Sequence, residues 1–466
     1  MQSRGRPAAA VAAPGASLRV PLPRVWPVIG FDIMWVLLAN GAIIVAMWVR
    51  HGGLDGLAAP GAAFTAIGQL TGLFAAYLSL VQLVLMSRSP WLDQVFGLDR
   101  LAWAHRWLGF ATVWLIVAHG ILTILGYSIG DHASFLGETW MILTTFDWVA
   151  LSVLGFAVFL AVGISSVRAA RSRLSYEAWF LLHLLAYAAI ALGFLHQLSV
   201  GADFMHDPLA SAYWIALYVA TAVLVAAFRL GQPIWLNLRH RLRVADVVNE
   251  GNGVASIYIT GEHLDKLPTR AGQWFVWRFM AGPRWWSGHP FSLSAAPNGR
   301  WLRITVKALG DDTRSMQRLR PGTRVWAEGP YGILTGARRT RRKVTLIAGG
   351  IGIAPLRALL EALSARPGEL TLLYRARQAK HLVLRQEIDA LAATRGARVE
   401  YLVGRRGSAA MPEDPLAPDN LWRIVPDICE QDVYICGPGP MMDRVEQTLH
   451  QLRVPRSQVH VERFEY

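Results

Sequence analysis

Four histidines stand inside long apolar stretches of this 466-residue chain, and their spacing is the first pointer to chemistry. His105 and His119 lie fourteen residues apart in one stretch, and His183 and His196 thirteen apart in another. On α-helices these separations rise about 21 and 19.5 Å. Two such helices side by side would set His105 opposite His183 near one end and His119 opposite His196 near the other. A polar side chain in a membrane-length apolar segment is costly, so each is a functional candidate. Imidazoles from two sides close both axial positions of a haem iron, which favours electron transfer over chemistry at the metal. Helical periodicity puts the first two histidines about 40° apart around the axis and the second two about 140° apart, so a tilt or a π-bulge near Gly193 is expected. Helix–helix hydrogen bonding and a proton relay are the rival uses; a single metal cluster is disfavoured by the distance and the lack of accompanying carboxylates. Phe110 and Trp114, between the pairs, could couple two haems or simply pack.

A second group lies in the other half. His289–Pro290–Phe291–Ser292–Leu293–Ser294 ends a predicted strand. A flavin needs an apolar wall and hydrogen-bonding groups, which Phe291, Ser292 and Ser294 could supply. Lys307 to Gly310, with Thr313 just beyond, and Gly329–Pro330–Tyr331–Gly332 offer a cation, donors and tight turns for a pyrophosphate, or ordinary turns. Gly349, Gly350 and Gly352 follow the predicted strand Val344–Ala348 and precede a helix from Ala354, where bare backbone and a helix N-terminus favour phosphate. Pro355 fits that helix's first turn. A second strand, Asp432–Ile435, runs into Cys436–Gly437–Pro438, and in an open parallel sheet both strand ends border one crevice. Arg375 and Arg377, after a strand ending near Tyr374, could hold a ribose 2′-phosphate, favouring NADPH with NADH possible; solvated loop charge is the alternative.

The elements that must position these groups follow from hydropathy. The chain is 53% hydrophobic, with 19 Trp and 17% charged residues. Six apolar stretches, 26–49, 62–86, 103–126, 148–166, 176–199 and 209–229, mostly reach the ~20 residues that cross a bilayer. The first is too long for a signal-peptide core. Arg4, Arg6, Arg19 and Arg24, then Arg88 and Arg100, Arg168, Arg171 and Arg173, and finally Arg229, Arg239, Arg241 and Arg243 alternate with loops poor in Arg and Lys, so both termini are expected in the cytoplasm. The opposite loops carry Asp131, His132, Glu138, Asp203, His206 and Asp207, a face that could attract cations or an ordinary outer loop. The net charge of +14 forms no basic stripe with interleaved aromatics, so no nucleic-acid partner is expected. Cys429 and Cys436 make neither a disulfide framework nor a zinc motif. Past Arg243, short alternating segments give way near Lys343 to a strand–turn–helix–strand pattern. The expected architecture is multi-domain: a flexible N-terminus (1–25), a six-helix transmembrane bundle (26–230), an antiparallel β-barrel (231–340) and a parallel α/β nucleotide-binding domain (341–466).

Taken together, the paired histidines, His289–Ser294, Gly350–Pro355 and Cys436–Pro438 resemble the NADPH oxidase and ferric reductase family. The resemblance implies a ferric-reductase-like membrane domain fused to a ferredoxin–NADP-reductase-like module, with two b-type haems, FAD and a cytosolic nicotinamide site. It implies a Ser or Thr at the flavin where Ser292 stands, a nucleotide site at Gly350, Gly352, Pro355, Gly437 and Pro438, and Cys436 near hydride transfer. It also implies a terminal aromatic, Phe464 or Tyr466, over the flavin. The compact layout looks like a bacterial form in the inner membrane that needs no activating subunit. Oxygen, giving superoxide, is the expected acceptor; a ferric chelate or a periplasmic partner protein is the alternative.

Overall fold

With no water to satisfy it, a backbone threaded through apolar surroundings must bond to itself, and each of the six apolar segments is helical. These are α1 (Trp26–Arg50), α2 (Pro60–Leu85), α4 (Leu98–Gly130), α6 (Val149–Ser166), α7 (Tyr176–Val200) and α8 (Pro208–Ala226), with the short α3 (Pro90–Phe96) and α5 (Phe135–Thr145) between them. All six long helices have the length and composition to cross a membrane. The structure is a computed structural model that describes residues 26–167, 171–201, 205, 207–282, 285–408 and 411–463. Residues 1–25, with Arg4, Arg6, Arg19 and Arg24, lie outside these, as do Arg168, Asp203 and His206. The chain divides into two compact units, Val25–Leu230 and one that includes Gly231–Tyr466.

In the first unit, helix starts follow local chemistry. Pro60 and Pro208 occupy first-turn positions, where a missing N–H is harmless. Ser175 caps α7 by accepting from Ala178 N–H, and Asp207 caps α8 by accepting from Leu209 and Ala210 N–H. α4 begins five residues earlier and ends four later than hydropathy placed it, because its ends carry Asp99, Arg100, Tyr127 and Ser128, which favour helix no less for being polar or interfacial.

α2 and α4 are held together by small residues. A Cβ on Gly68 would stand 2.8 Å from Thr123 Oγ1, one on Gly126 2.7 Å from Thr65 N, and one on Gly72 2.7 Å from His119 Nδ1. Helices lacking a hydrophobic drive toward one another in lipid associate through such close seams. α6 and α7 approach similarly where Gly155 faces Ala189 and Leu192. Between α4 and α7 the backbones approach less than in either of these seams. α7 is an unbroken α-helix, so the π-bulge expected near Gly193 does not form; the π-turn of this unit and its junction is Ala227–Gly231, after α8.

The second unit opens with α9 (Gln232–His240) and six strands: β1 (Arg243–Gly251), β2 (Val254–Thr260), β3 (Trp274–Phe279), β4 (His289–Ser292), β5 (Leu302–Lys307) and β6 (Val325–Tyr331). They form antiparallel sheets ordered β1-β2-β5 and β4-β3-β6. Bridges Leu293↔Ile304 and Arg243↔Arg324 join the sheets at both seams and close a barrel. Its core is Ile257, Ile259, Phe275, Trp277, Leu293 and Ile304 with their neighbours, the inward-facing alternate positions of the strands.

Beyond it, β7 (Val344–Gly349), β8 (Leu370–Ala376), β9 (Arg398–Val403), β10 (Asp432–Cys436) and β11 (Val459–Val461) form a parallel sheet ordered β11-β10-β7-β8-β9. Helices α11 (Ile353–Ala362), α12 (Arg385–Arg395), α13 (Pro418–Ile424) and α14 (Gly439–Gln451) accompany it, while α10 (Asp311–Met316) belongs to the barrel. Apolar clusters on both faces of the sheet explain why β7 and β10 read as continuous apolar runs rather than alternating ones.

Candidate functional site

The membrane unit brings the four histidines together as two pairs. The ring centroids of His105 and His183 are 5.8 Å apart, and those of His119 and His196 are 6.2 Å apart. Two imidazoles sharing one metal at about 2 Å from each ring nitrogen would stand with centroids about 6 Å apart. The pairs meet across α4 and α7 although ideal periodicity sets the two α7 histidines about 140° apart. His119 Nδ1 lies 2.8 Å from the Gly68 carbonyl. A ring N–H donating there leaves Nε2 as the lone-pair nitrogen, the tautomer a metal ligand needs. His183 Nδ1 is 3.4 Å from Ser166 Oγ, and Trp179 stacks on its ring at 5.0 Å. Nδ1 of His196 is buried without a hydrogen-bond partner among the described residues, whereas His105 is within hydrogen-bonding reach of the Gln82 backbone on α2. The residues therefore fit two bis-imidazole haem sites. Phe110 and Trp114 are exposed on α4, as lipid-facing side chains would be.

In the barrel, β4 presents His289, Pro290 and Phe291 half-buried, with the rings of His289 and Phe291 stacked at 6.2 Å. Burial lowers the His289 pKa, with Arg278 adding to it and Asp312 opposing it. The Ser292 hydroxyl is buried and unpartnered, the kind of orphan a bound ring system would satisfy. Two members of the predicted set are otherwise engaged. Leu293 is fully buried in the barrel core, and Ser294 is fully buried with its hydroxyl accepting from Arg303 Nε and Thr305 Oγ1. Neither side chain is open to a cofactor. Thr313 is likewise committed locally, its Oγ1 accepting from the N–H groups of Leu309 and Gly310, so those expected pyrophosphate donors satisfy one another. Lys307 instead lines the cleft described next.

That cleft, of about 550 Å³, lies at the carboxyl edge of the parallel sheet. It brings together Gly349, Gly350 and Ile351 from the end of β7, Arg375 from β8 and Arg377 just past it, and Pro438 and Met441 beyond β10. β7 and β10 are adjacent, with Ala348 paired to Cys436. Glycine is required where their ends touch: a Cβ on Gly352 would stand 2.3 Å from the Cys436 carbonyl oxygen, and one on Gly437 3.1 Å from Gly349 Cα. Gly350 has φ +56°, a left-handed conformation suited to glycine. Pro355 is buried within α11 rather than lining the cleft. The Cys436 thiol is buried, and burial, reinforced by Glu462, pushes its pKa up, so it is a neutral thiol and not a thiolate nucleophile.

The cleft is more cationic than the sequence suggested. Arg405 and Arg406, beyond β9, and Arg444, on α14, join Lys307, Arg375 and Arg377, with Asp414 the acid among the lining groups. Arg406 pairs with Asp414 at 3.2 Å. Arg375 donates to the carbonyls of Ala376 and Leu402, and burial, Arg406 and Arg377 lower its pKa while Asp414 opposes them. So many like charges around one hollow would be relieved by a bound anion. Arg405 and Arg406 were detectable only as basic residues following a third strand end.

Phe464 and Tyr466 lie outside the described residues. Just before them, Glu462 accepts from Trp274 Nε1 at 2.7 Å and from the N–H groups of Ile333 and Leu334 at 3.2 Å, tying the C-terminal segment to the barrel. On the membrane unit, the acids expected to attract cations are largely withdrawn. Glu138 is buried, and Asp207 is buried against Arg50 at 2.5 Å and His51 at 3.1 Å. Burial alone would raise the Asp207 pKa, but hydrogen bonds from Ala210, His51 and Leu209 and the charge of Arg50 hold it below the usual value. Asp131 and His132 remain exposed.

Comparison with known proteins gives two family matches. Residues 71–194 match the ferric reductase like transmembrane component, a stretch that includes His105, His119 and His183 and ends two residues before His196. Residues 346–447 match the oxidoreductase NAD-binding domain. The ferredoxin reductase component of 3-ketosteroid-9-alpha-monooxygenase from Rhodococcus rhodochrous is 28% identical over 230 residues, covering 48% of this chain and 64% of the relative. Ferredoxin–NADP reductase B of Sorangium cellulosum is 33% identical over 218 residues, covering 42% of this chain and 85% of the relative. Among solved structures, the FAD/NAD-binding domain of nitric oxide dioxygenase from Vibrio cholerae O1 biovar El Tor is 24% identical with a TM-score of 0.38, covering 48% of this chain and 97% of that one. The chain is thus a multi-pass membrane protein that spans somewhat less than two thirds of the first of these relatives. It belongs to the ferredoxin–NADP reductase family and carries with it a ferric-reductase-like transmembrane component, the fusion found in NADPH oxidases and ferric reductases.

Proposed function

We propose that this chain is a transmembrane NAD(P)H oxidoreductase whose electrons run from cytoplasmic NADPH, by way of FAD and two b-type haems, to oxygen on the outer side, giving superoxide. The observation that carries the reading is the double pairing of imidazoles across α4 and α7, at 5.8 and 6.2 Å. When bound, the flavin would convert a two-electron hydride donor into single electrons and the haems would relay them.

The chain's own residues have distinct parts in this. His105 and His183 hold the inner haem, and His119 and His196 the outer one, with the Gly68 carbonyl fixing the His119 tautomer. Phe291 supplies an apolar wall and Ser292 a hydroxyl for the flavin, and the neutral Cys436 thiol sits at the end of β10 beside the nucleotide turn. Gly350 and Gly352 bring bare backbone to the phosphates. Arg375, Arg377, Arg405 and Arg406 support a 2′-phosphate and so favour NADPH over NADH. The Arg-rich connections support cytoplasmic termini in a bacterial inner membrane.

Oxygen is favoured over a ferric chelate because Asp207 and Glu138 are withdrawn from the face that would gather cations. Cytochrome c reduction by the purified protein under NADPH tests the acceptor. Superoxide dismutase should suppress it. Dismutase-insensitive reduction would contradict superoxide, and rapid reduction of a ferric chelate without oxygen would favour the ferric reading; neither activity without an added periplasmic protein would point to a partner acceptor.

A further inference from the structure

Four buried or half-buried charges join the barrel to the nucleotide sheet at the roots of both cofactor-facing elements. Arg303, on β5, sets its Nη1 against both carboxylate oxygens of Glu387 of α12, at 3.0 and 2.9 Å. Arg357, on α11, also pairs with Glu387 and with Glu361 one turn further along. Both guanidiniums additionally bond the Ser294 carbonyl, Arg303 at 2.6 Å and Arg357 at 3.3 Å, and Glu361 accepts from Ala296 N–H at 2.7 Å. Arg303 and Arg357 are nearly inaccessible, and two carboxylates balance their two charges.

The placement of this cluster is informative. Ser294 lies two residues beyond Ser292, the last residue of the strand proposed to face the flavin. Arg357 lies five residues beyond Gly352 on the helix that opens at the nucleotide turn. Glu387 thus ties one module to the other at points one short peptide from each cofactor element. We infer that the Arg303–Glu387–Arg357 cluster is a positioning device that sets the distance between nicotinamide and flavin. The inference rests on the flavin and nucleotide reading above. In the step it governs, the nicotinamide C4–H bond breaks with both its electrons, an N–H bond forms at flavin N5, and the donor is left as oxidised nicotinamide. Losing alignment by about 1 Å can slow such a transfer on the order of a hundredfold. Glu387, Arg303 and Arg357 are positioning residues, since none lines the nucleotide cleft.

Full-length Glu387→Gln, which keeps shape and removes one charge, tests this in detergent. Flavin content and NADP+ affinity should match the parent protein. The change in flavin absorbance produced when NADP+ brings its ring against the flavin should be lost, and flavin reduction by NADPH should slow at least about tenfold. Glu387→Asp should recover part of both. If Glu387→Gln does not fold, Arg303→Lys, which keeps charge but cannot span Glu387 and Ser294 together, should show the same pattern in weaker form. A retained absorbance change with an unaltered rate, or a slower rate only in proportion to lost flavin, would overturn the proposal. Absence of the absorbance change in the parent protein would instead remove the cofactor reading, and the proposal with it.

Discussion

Gly72→Ala should selectively unseat the outer haem. The reasoning starts from contact: a Cβ at Gly72 would lie 2.7, 2.9 and 3.1 Å from Nδ1, Cε1 and Cγ of His119. The ring cannot swing away freely, because its Nδ1 holds the Gly68 carbonyl at 2.8 Å. Either that bond breaks or the ring shifts by several tenths of an ångström toward α7. Inserting a methyl group into a filled seam costs about 1–3 kcal/mol. If the outer site bears all of it, haem affinity there falls roughly five- to hundredfold, comparable to the loss from removing an outer hydrogen bond on a metal ligand. The assay is the ratio of haem to protein in purified samples, followed by the spectrum under NADPH without oxygen. The ratio should fall from near two toward one, the remaining haem should still be reduced, and superoxide output should collapse. Two fully retained haems with unaltered turnover would refute the link between Gly72 and ligand placement. Loss of both haems would mean that the seam supports the bundle generally.

Other outcomes follow from the second unit. Ser292→Ala removes a buried hydroxyl that has no protein partner, so the flavin-free protein should lose little stability, while flavin affinity drops by the worth of one hydrogen bond, about 0.5–1.5 kcal/mol; equal affinity by flavin-fluorescence titration would refute it. Arg377→Ala should raise KM for NADPH roughly tenfold and leave NADH nearly unchanged, since a charged hydrogen bond is worth about 1.5–3 kcal/mol; steady-state kinetics with both donors decide. Asp432 is buried, and although burial alone would raise its pKa, bonds from His460, Arg341 and Thr340 hold it below 3.8. Its stabilisation is therefore complete above the ordinary carboxylate pKa and lost as pH falls through the lower folded value. Thermal unfolding from pH 7 down to 3 should show the module weakening only at the acid end, and Asp432→Asn should be weaker at neutral pH but lose less on acidification.

Hydropathy alone located the six long helices, because twenty apolar residues in lipid have few alternatives to helix. The pairing of His105 with His183 and of His119 with His196 was likewise legible, since polar groups in such segments demand a use. Of the two ways of reconciling the spacing on α7, a tilt or a π-bulge near Gly193, the unbroken helix removes the second. α7 remains regular and both pairs still meet, an outcome that spacing along an ideal rod does not encode. In the barrel, residue type suggested that Ser294 and Thr313 face a ligand. Their hydroxyls are taken by Arg303, Thr305 and neighbouring amides, a competition visible only once the chain is folded. Arg405, Arg406 and Arg444 come from elements that meet only at the carboxyl edge of the sheet. Glu462 gave no pattern at all, being one acid near the chain's end.

The relay itself is tested most directly by adding NADPH without oxygen to purified protein and to His105→Leu while recording the visible spectrum. The account predicts bleaching of flavin absorbance together with the sharp bands of reduced low-spin haem in the parent protein, and rapid reoxidation when oxygen is admitted. In His105→Leu it predicts bleached flavin but no reduction of the haem that remains. A parent protein without haem bands, or full haem reduction in His105→Leu, would contradict it.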